Sequence, residues 1–339
     1  MKHKVIAFLL ILAAAVLFNS NLVTAIQSGE TQASIKPAPI PNHPLTTLRR
    51  DFKDSLPFPV GEKLEYEVKF SRFALINASV GIVTFEYLGA INNKPISEND
   101  SSGSQSNPLI KGLNVEFNPA PDEQLVHMRA TAVSKGMLTA LFGIDVKARY
   151  ETLVDANDFS ARLSFMEMKE DKKHIVQTAV FDRAGQQVKY LTTDFAKPDQ
   201  APRAKFLPHQ EGMLSLLSAI YFTRLQKYKE DHLLRFPVSH EETNYLFDIV
   251  IDKREKIRSE CGKVKTVRLD PKLFGPGQLI SRQGEMSMWV TDDNKHIPVR
   301  LEAKTSAGTV SAKLINYKSN CKILDPETLE QKKSNKNAK

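Results

Sequence analysis

The chain has two cysteines in 339 residues, Cys261 and Cys321, and no Cys-x-x-Cys pair. That spacing is what tunes a thiolate for redox work, so its absence argues against a catalytic thiol pair. Also missing are a Gly-x-Ser-x-Gly elbow, a His-Glu-x-x-His helix, a phosphate loop and a dinucleotide fingerprint. The nearest approach, His240-Glu241-Glu242, lacks a second histidine one helical turn on. The sequence is therefore read as noncatalytic, with no cofactor and no metal site. An envelope hydrolase is the remaining enzymatic reading, and it would need His, Ser or carboxylate groups brought into one cleft by the fold. There is no internal repeat, and no apolar run reaches the roughly 20 residues that cross a bilayer.

What is present begins at the N-terminus. Lys2 and Lys4 precede an uncharged apolar run over residues 5–18, followed by Asn19-Ser20-Asn21 and then Val23-Thr24-Ala25. This is the layout of a secretory signal peptide, residues 1–25, with cleavage expected before Ile26. No cysteine follows the run to carry a lipid, so the mature protein is expected in the periplasm without a stable transmembrane anchor. Removing two lysines and no acid takes the formal charge from +8 to about +6. Much of that excess lies at Lys332, Lys333, Lys336 and Lys339. A basic tail of this kind reads as a solvated end, and nucleic acid is not an expected partner. In an oxidising compartment Cys261 and Cys321 either pair or stay free; a bridge would add about 4 kcal/mol in the chain-entropy model.

Residues 26–57 are rich in Pro, Ser and Thr and read as a linker, and residues 319–339 as a polar tail. Between them, residues 58–318 form one domain, with residues 92–108 as an inserted surface loop. Leu64, Tyr66, Val68 and Phe70 alternate with charged residues, the mark of a half-buried strand. Similar alternation recurs over 80–87, 125–133, 146–153, 161–168, 175–181 and 188–191. It resumes over 245–251, 264–269, 286–290, 297–301 and 310–317, with Asp, Asn and Gly between many of the runs. Short links favour antiparallel pairing, because parallel crossovers need a dozen or more residues. The expected fold is mainly β: one large, strongly curved antiparallel sheet, an open barrel or spiral. The exception is residues 211–226, where Met213, Leu217, Ile220, Tyr221 and Leu225 fall near one helical face. Such a helix must bury its stripe on the sheet, either as a plug or as one wall of a cavity.

Several segments together resemble a known family. Phe58-Pro59-Val60-Gly61-Glu62-Lys63-Leu64-Glu65-Tyr66-Glu67-Val68 is similar to the opening of exported bacterial proteins grouped as domain of unknown function 3108. So are Leu217-Ser218-Ala219-Ile220-Tyr221-Phe222-Thr223-Arg224, Met288-Trp289-Val290-Thr291-Asp292-Asp293, Ile297-Pro298-Val299-Arg300 and Leu314-Ile315-Asn316-Tyr317, in the same order. The resemblance implies an exported, β-rich protein whose architecture is like the coiled sheets of periplasmic lipoprotein carriers. It implies no activity, since fold does not fix function.

The segments also have readings of their own. Gly61 suits a turn into the first strand, and Asp292-Asp293-Asn294 a turn between two strands, with Pro298 opening the return strand. A metal or acid/base role for the paired aspartates is the competing reading. His127 and His174 fall in expected strands, within reach of carboxylates such as Glu151 or Glu167. The candidate binding residues are apolar: Tyr66, Phe85, Tyr221, Met286, Met288 and Trp289, with Met286, Met288 and Val290 on one strand face and Trp289 on the other. Adaptable methionines suit a variable apolar ligand and suit core packing equally well. The expected partner is an apolar ligand (a lipid, acyl chain or apolar peptide), or alternatively an envelope protein bound by a filled structural module.

Overall fold

The computed structural model describes residues 44–47, 56–72, 76–91, 115, 117, 119–120, 123–135, 145–259, 262–281, 283–306 and 308–315. The segments expected as signal peptide (1–25) and inserted loop (92–108), most of the expected linker, the basic tail and both cysteines lie outside the described residues. The elements are β1 (Glu62–Arg72), β2 (Ile76–Ile91), β3 (Leu125–Ser134), β4 (Val146–Asp155), β5 (Ala161–Glu170), β6 (Lys173–Asp182), β7 (Gln187–Asp194) and β8 (Arg203–Pro208). Then come β9 (Leu214–Ser215), helix α1 (Leu216–Arg224), β10 (Leu233–His240), β11 (Thr243–Ser259), β12 (Gly262–Pro271), β13 (Gly284–Thr291), β14 (Pro298–Thr305) and β15 (Gly308–Leu314).

All strands belong to one sheet in the order β8-β7-β6-β5-β4-β3-β2-β1-β15-β14-β13-β12-β11-β10-β9. The meander expected from short links is thus present, run in two arms that meet where β1 pairs with β15. One pairing departs from it, because β9 runs parallel to β10 at Leu214–Val238 and Ser215–Ser239. Parallel addition is possible there because α1 and the turn after it supply the crossover that a hairpin cannot. The ladder does not close, and β8 and β9 are its two ends.

Alternation sets the faces. In β1, Leu64, Tyr66, Val68 and Phe70 are buried while their neighbours are half-buried or exposed. Interruptions of register bend the sheet: one separates Val68 from Lys69 opposite β2, another Tyr87 from Gly89 opposite β3, and a third Ile251 from Arg254 opposite β12. Such bulges raise local twist and coil a long strand. At Gly89 the backbone φ is +91°, and an added Cβ would meet Val60 at 2.8 Å, so both conformation and packing require glycine.

The helix is shorter than its apolar stripe suggested, nine residues over Leu216–Arg224 rather than 211–226. Gly212, at φ +69°, turns the chain, and Leu214–Ser215 joins the sheet as β9, which leaves Ser215 as the N-cap. Its side chain accepts from Ser218 N while Ser218 Oγ accepts from Ser215 N, a reciprocal cap. Eight of the nine helical residues are buried. The helix contacts β3, β4, β9 and β10, strands from both arms, so the sheet wraps around it. A smaller apolar cluster of Leu125, Leu153 and Leu163, with Phe117 and Phe165 against it, lies on the opposite face of β3–β5.

Candidate functional site

The concave side holds an apolar cavity of about 80 Å³, walled by both arms of the sheet and by the helix. Leu64, Tyr66, Val83 and Phe85 come from β1 and β2; Phe236, Phe247 and Ile249 from β10 and β11; Met286, Met288, Leu301 and Ala312 from the last three strands. The helix contributes Leu216, Ala219, Ile220, Tyr221, Thr223 and Arg224. It is therefore a plug that also forms one wall, combining the two readings its sequence left open.

Two polar anchors fix these walls. The Tyr66 hydroxyl donates to the Pro298 carbonyl at 2.7 Å, tying β1 to β14 across β15, and its ring meets Phe85 edge-on at 5.7 Å. Arg224, at the helix C-terminus and 2% exposed, makes a two-pronged pair with Glu62 at 2.5 and 2.9 Å. Its Nε donates to the Lys295 carbonyl, and its guanidinium lies 4.8 Å over the Phe58 ring. Burial pulls the Arg224 pKa down, but the hydrogen bonds and charge of Glu62 outweigh it and raise the pKa above the usual arginine value. That charge is thus committed to Glu62 within the wall.

Five of the six candidate residues, Tyr66, Phe85, Tyr221, Met286 and Met288, come together on this cavity. Trp289 does not. It points to the other sheet face, where its Nε1 donates to Glu255 at 2.8 Å and its ring lies between Arg300 at 5.0 Å and Arg268 at 5.9 Å. Strand alternation had already separated it from Met286 and Met288. Phe236 was missed because β10 shows no clean alternation, and Ala219 and Ala312 because small residues carry no signal for a hollow.

The polar candidates resolve into structural pairs. His127 Nε2 lies 2.6 Å from Glu151 and His174 Nε2 lies 3.0 Å from Glu167, as expected from their strand positions. Burial raises the Glu151 pKa, but His127, Arg129 and Arg149 more than offset it and hold the carboxylate below its usual range. Asp293 accepts from Thr291 Oγ1, Lys295 N and His296 N at 2.7–3.1 Å, so it is spent on the turn. Among the described residues no group of three or more His, Cys, Asp or Glu side chains is placed to hold a metal ion. Nor does any described helix have the length and apolarity to cross a membrane.

Among the described residues, the fold and site define a mainly β protein: an open coiled sheet wrapped on a plug helix beside an apolar cavity. Residues 113–315 match the family described as protein of unknown function (DUF3108), and the chain belongs to that family. The matched stretch begins after β1 and β2, although these two strands occupy the middle of the sheet. No curated protein matches the sequence. Two similar solved structures illustrate the likeness. One is a β-barrel-like protein of domain of unknown function DUF1849 from Brucella abortus, with a TM-score of 0.43 and 10% identity, covering 76% of this chain and 96% of that one. The other is a putative exported protein with YmcC-like fold from Bacteroides fragilis, with a TM-score of 0.28 and 6% identity, covering 79% and 98%.

Proposed function

We propose that this chain is an exported, noncatalytic protein of the periplasm that holds the hydrocarbon end of an acyl chain, lipid or apolar peptide in its concave cavity. The observation that carries the reading is the cavity itself, an apolar hollow of about 80 Å³ between the helix and both arms of the sheet. Its walls include two methionines, whose unbranched side chains adjust to what they meet. The N-terminal basic and apolar pattern supports export, with Ile26 as the first residue of the mature chain.

The volume limits the ligand. Drug-sized sites enclose roughly 300–1,000 Å³, and an engineered apolar cavity of roughly 150 Å³ admits benzene. A cavity of about 80 Å³ thus receives only the tip of a chain unless Met286 and Met288 move. The same small volume favours a second reading, a structural or adaptor module of the envelope with an essentially filled interior.

Mass spectrometry of organic extracts, together with uptake of a fluorescent fatty acid, separates the two. The binding reading expects a co-purifying apolar molecule, probe uptake, and loss of both in Ala312→Leu, which fills the cavity from β15. Empty wild-type protein that takes up no probe removes it in favour of the adaptor.

A further inference from the structure

Throughout the described sheet each strand is held to its neighbour by a backbone ladder, and the free ends of the two arms, at β8 and β9, are not paired with each other. There the β10–β11 hairpin tip lies across β6, β7 and β8, joined to them by hydrogen bonds from side chains. The Glu242 carboxylate accepts from Gln177 on β6 at 3.3 Å, Thr192 on β7 at 2.8 Å and Arg203 on β8 at 2.6 Å. Lys205 donates to the Glu242 carbonyl, Asn244 to the Pro208 carbonyl, and Tyr190 shares a hydrogen bond with Ser239 at 2.8 Å. One backbone bond, Ala161 N to Met213 O, supports the adjoining end. We propose that this seam is where the barrel opens to its interior, and that Glu242 is the latch holding it shut. The proposal rests on the binding reading only for what passes through the opening.

Three observations make the seam the weak line. First, the hydroxyl of Tyr150 and Nε2 of His240, both buried there, have no hydrogen-bond partner among the described residues; Glu241 lies 3.7 Å from His240, beyond bonding reach. Opening would hydrate both atoms, so part of the loss of Glu242's bonds is recovered from water. Second, Glu241 and Glu242 sit at φ +44° and +60°, a left-handed turn that glycine or asparagine takes without strain and glutamate does not. Third, Leu216 borders both a small pocket of about 30 Å³ in the seam and the apolar cavity. A gap at the seam is therefore one side chain away from the proposed ligand space.

Thiol labelling of the full chain reads the opening. Ser239→Cys places a near-isosteric buried thiol on the seam, and Ala303→Cys places one in the core of β14, with the wild-type chain subtracting any signal from Cys261 and Cys321. Local opening predicts that the seam thiol reacts faster than the core thiol. Adding Glu242→Gln should speed the seam roughly tenfold and leave the core unchanged, as expected when a charge-assisted bond is lost from a local opening. Arg203→Met, at a largely exposed side chain, repeats the test should the Glu242 variant fail to fold. Equal reactivity at the two sites, or equal acceleration of both, overturns the proposal. A seam that opens in a protein taking up no fluorescent fatty acid counts against the cavity reading alone.

Discussion

His240 is a histidine whose environment admits only the neutral ring. Burial lowers its pKa from 6.5 to about 4, while the nearby Glu241 carboxylate is not close enough to restore it. Below about pH 6.5 the unfolded chain takes up a proton that the folded site refuses until about pH 4. The sign is therefore a loss of stability on acidification through that window, at most about 3 kcal/mol from this group. His209 and His296, also shifted down by burial, act in the same direction, so the contribution of His240 is isolated by difference. His240→Phe should flatten the fall in urea midpoint between pH 7 and 4 relative to wild type; parallel curves would refute a neutral buried ring. At this scale the sequence was informative where alternation alone mattered, which is why Tyr66, Phe85, Met286 and Met288 were legible as one inward face. Arg224 and Glu62 were not, because nothing local reveals a partner far away in the chain.

The elements divide along the same line. Strands with one wet face announce themselves, as β1 does, whereas β8 and β10 carry no such pattern. In β8 the sequence Arg-Ala-Lys-Phe-Leu-Pro is mostly exposed on both faces, and in β10 seven of eight residues are buried, Arg235 among them. Arg235 is tolerated because Asp248 on β11 receives it at 2.6 and 2.7 Å, a pairing that interrupts the apolar run in both strands. The helix was legible by its stripe but not by its ends, since a 3.6-residue period cannot say that Leu214–Ser215 will pair with β10. Its length matters for stability. Nine residues are too few to be helical alone, so tertiary anchors decide. The cap at Ser215 holds one end and the Glu62 pair holds the other. Arg224→Met should cost about 3–5 kcal/mol in urea unfolding by leaving Glu62 buried and alone, and Arg224→Met with Glu62→Met should recover much of that. A double variant no more stable than the single one would show that the pair is not the anchor.

For the whole molecule, the mainly β class and an open antiparallel meander were readable from alternation and link lengths, while the pairing of β1 with β15 and the parallel β9 were not, because neither depends on local pattern. The family match covers residues 113–315, yet β1 and β2 stand between β3 and β15. A fragment limited to the matched residues would expose two central edges lined by Met128, Ala130, Val310 and Ala312, all buried in the whole chain. It should aggregate, whereas a chain beginning at residue 44 should stay monodisperse on gel filtration; a soluble, cooperatively unfolding fragment would contradict this. The pairing of β1 with β15 also fixes an order of events. A chain delivered N-terminus first presents β1 early, then must leave one of its flanks bare until the last strand arrives. During that interval an unpaired strand edge, with Leu64, Tyr66, Val68 and Phe70 on one face, is unprotected, so its yield in the cell depends on how long delivery takes and on what shields the waiting strand.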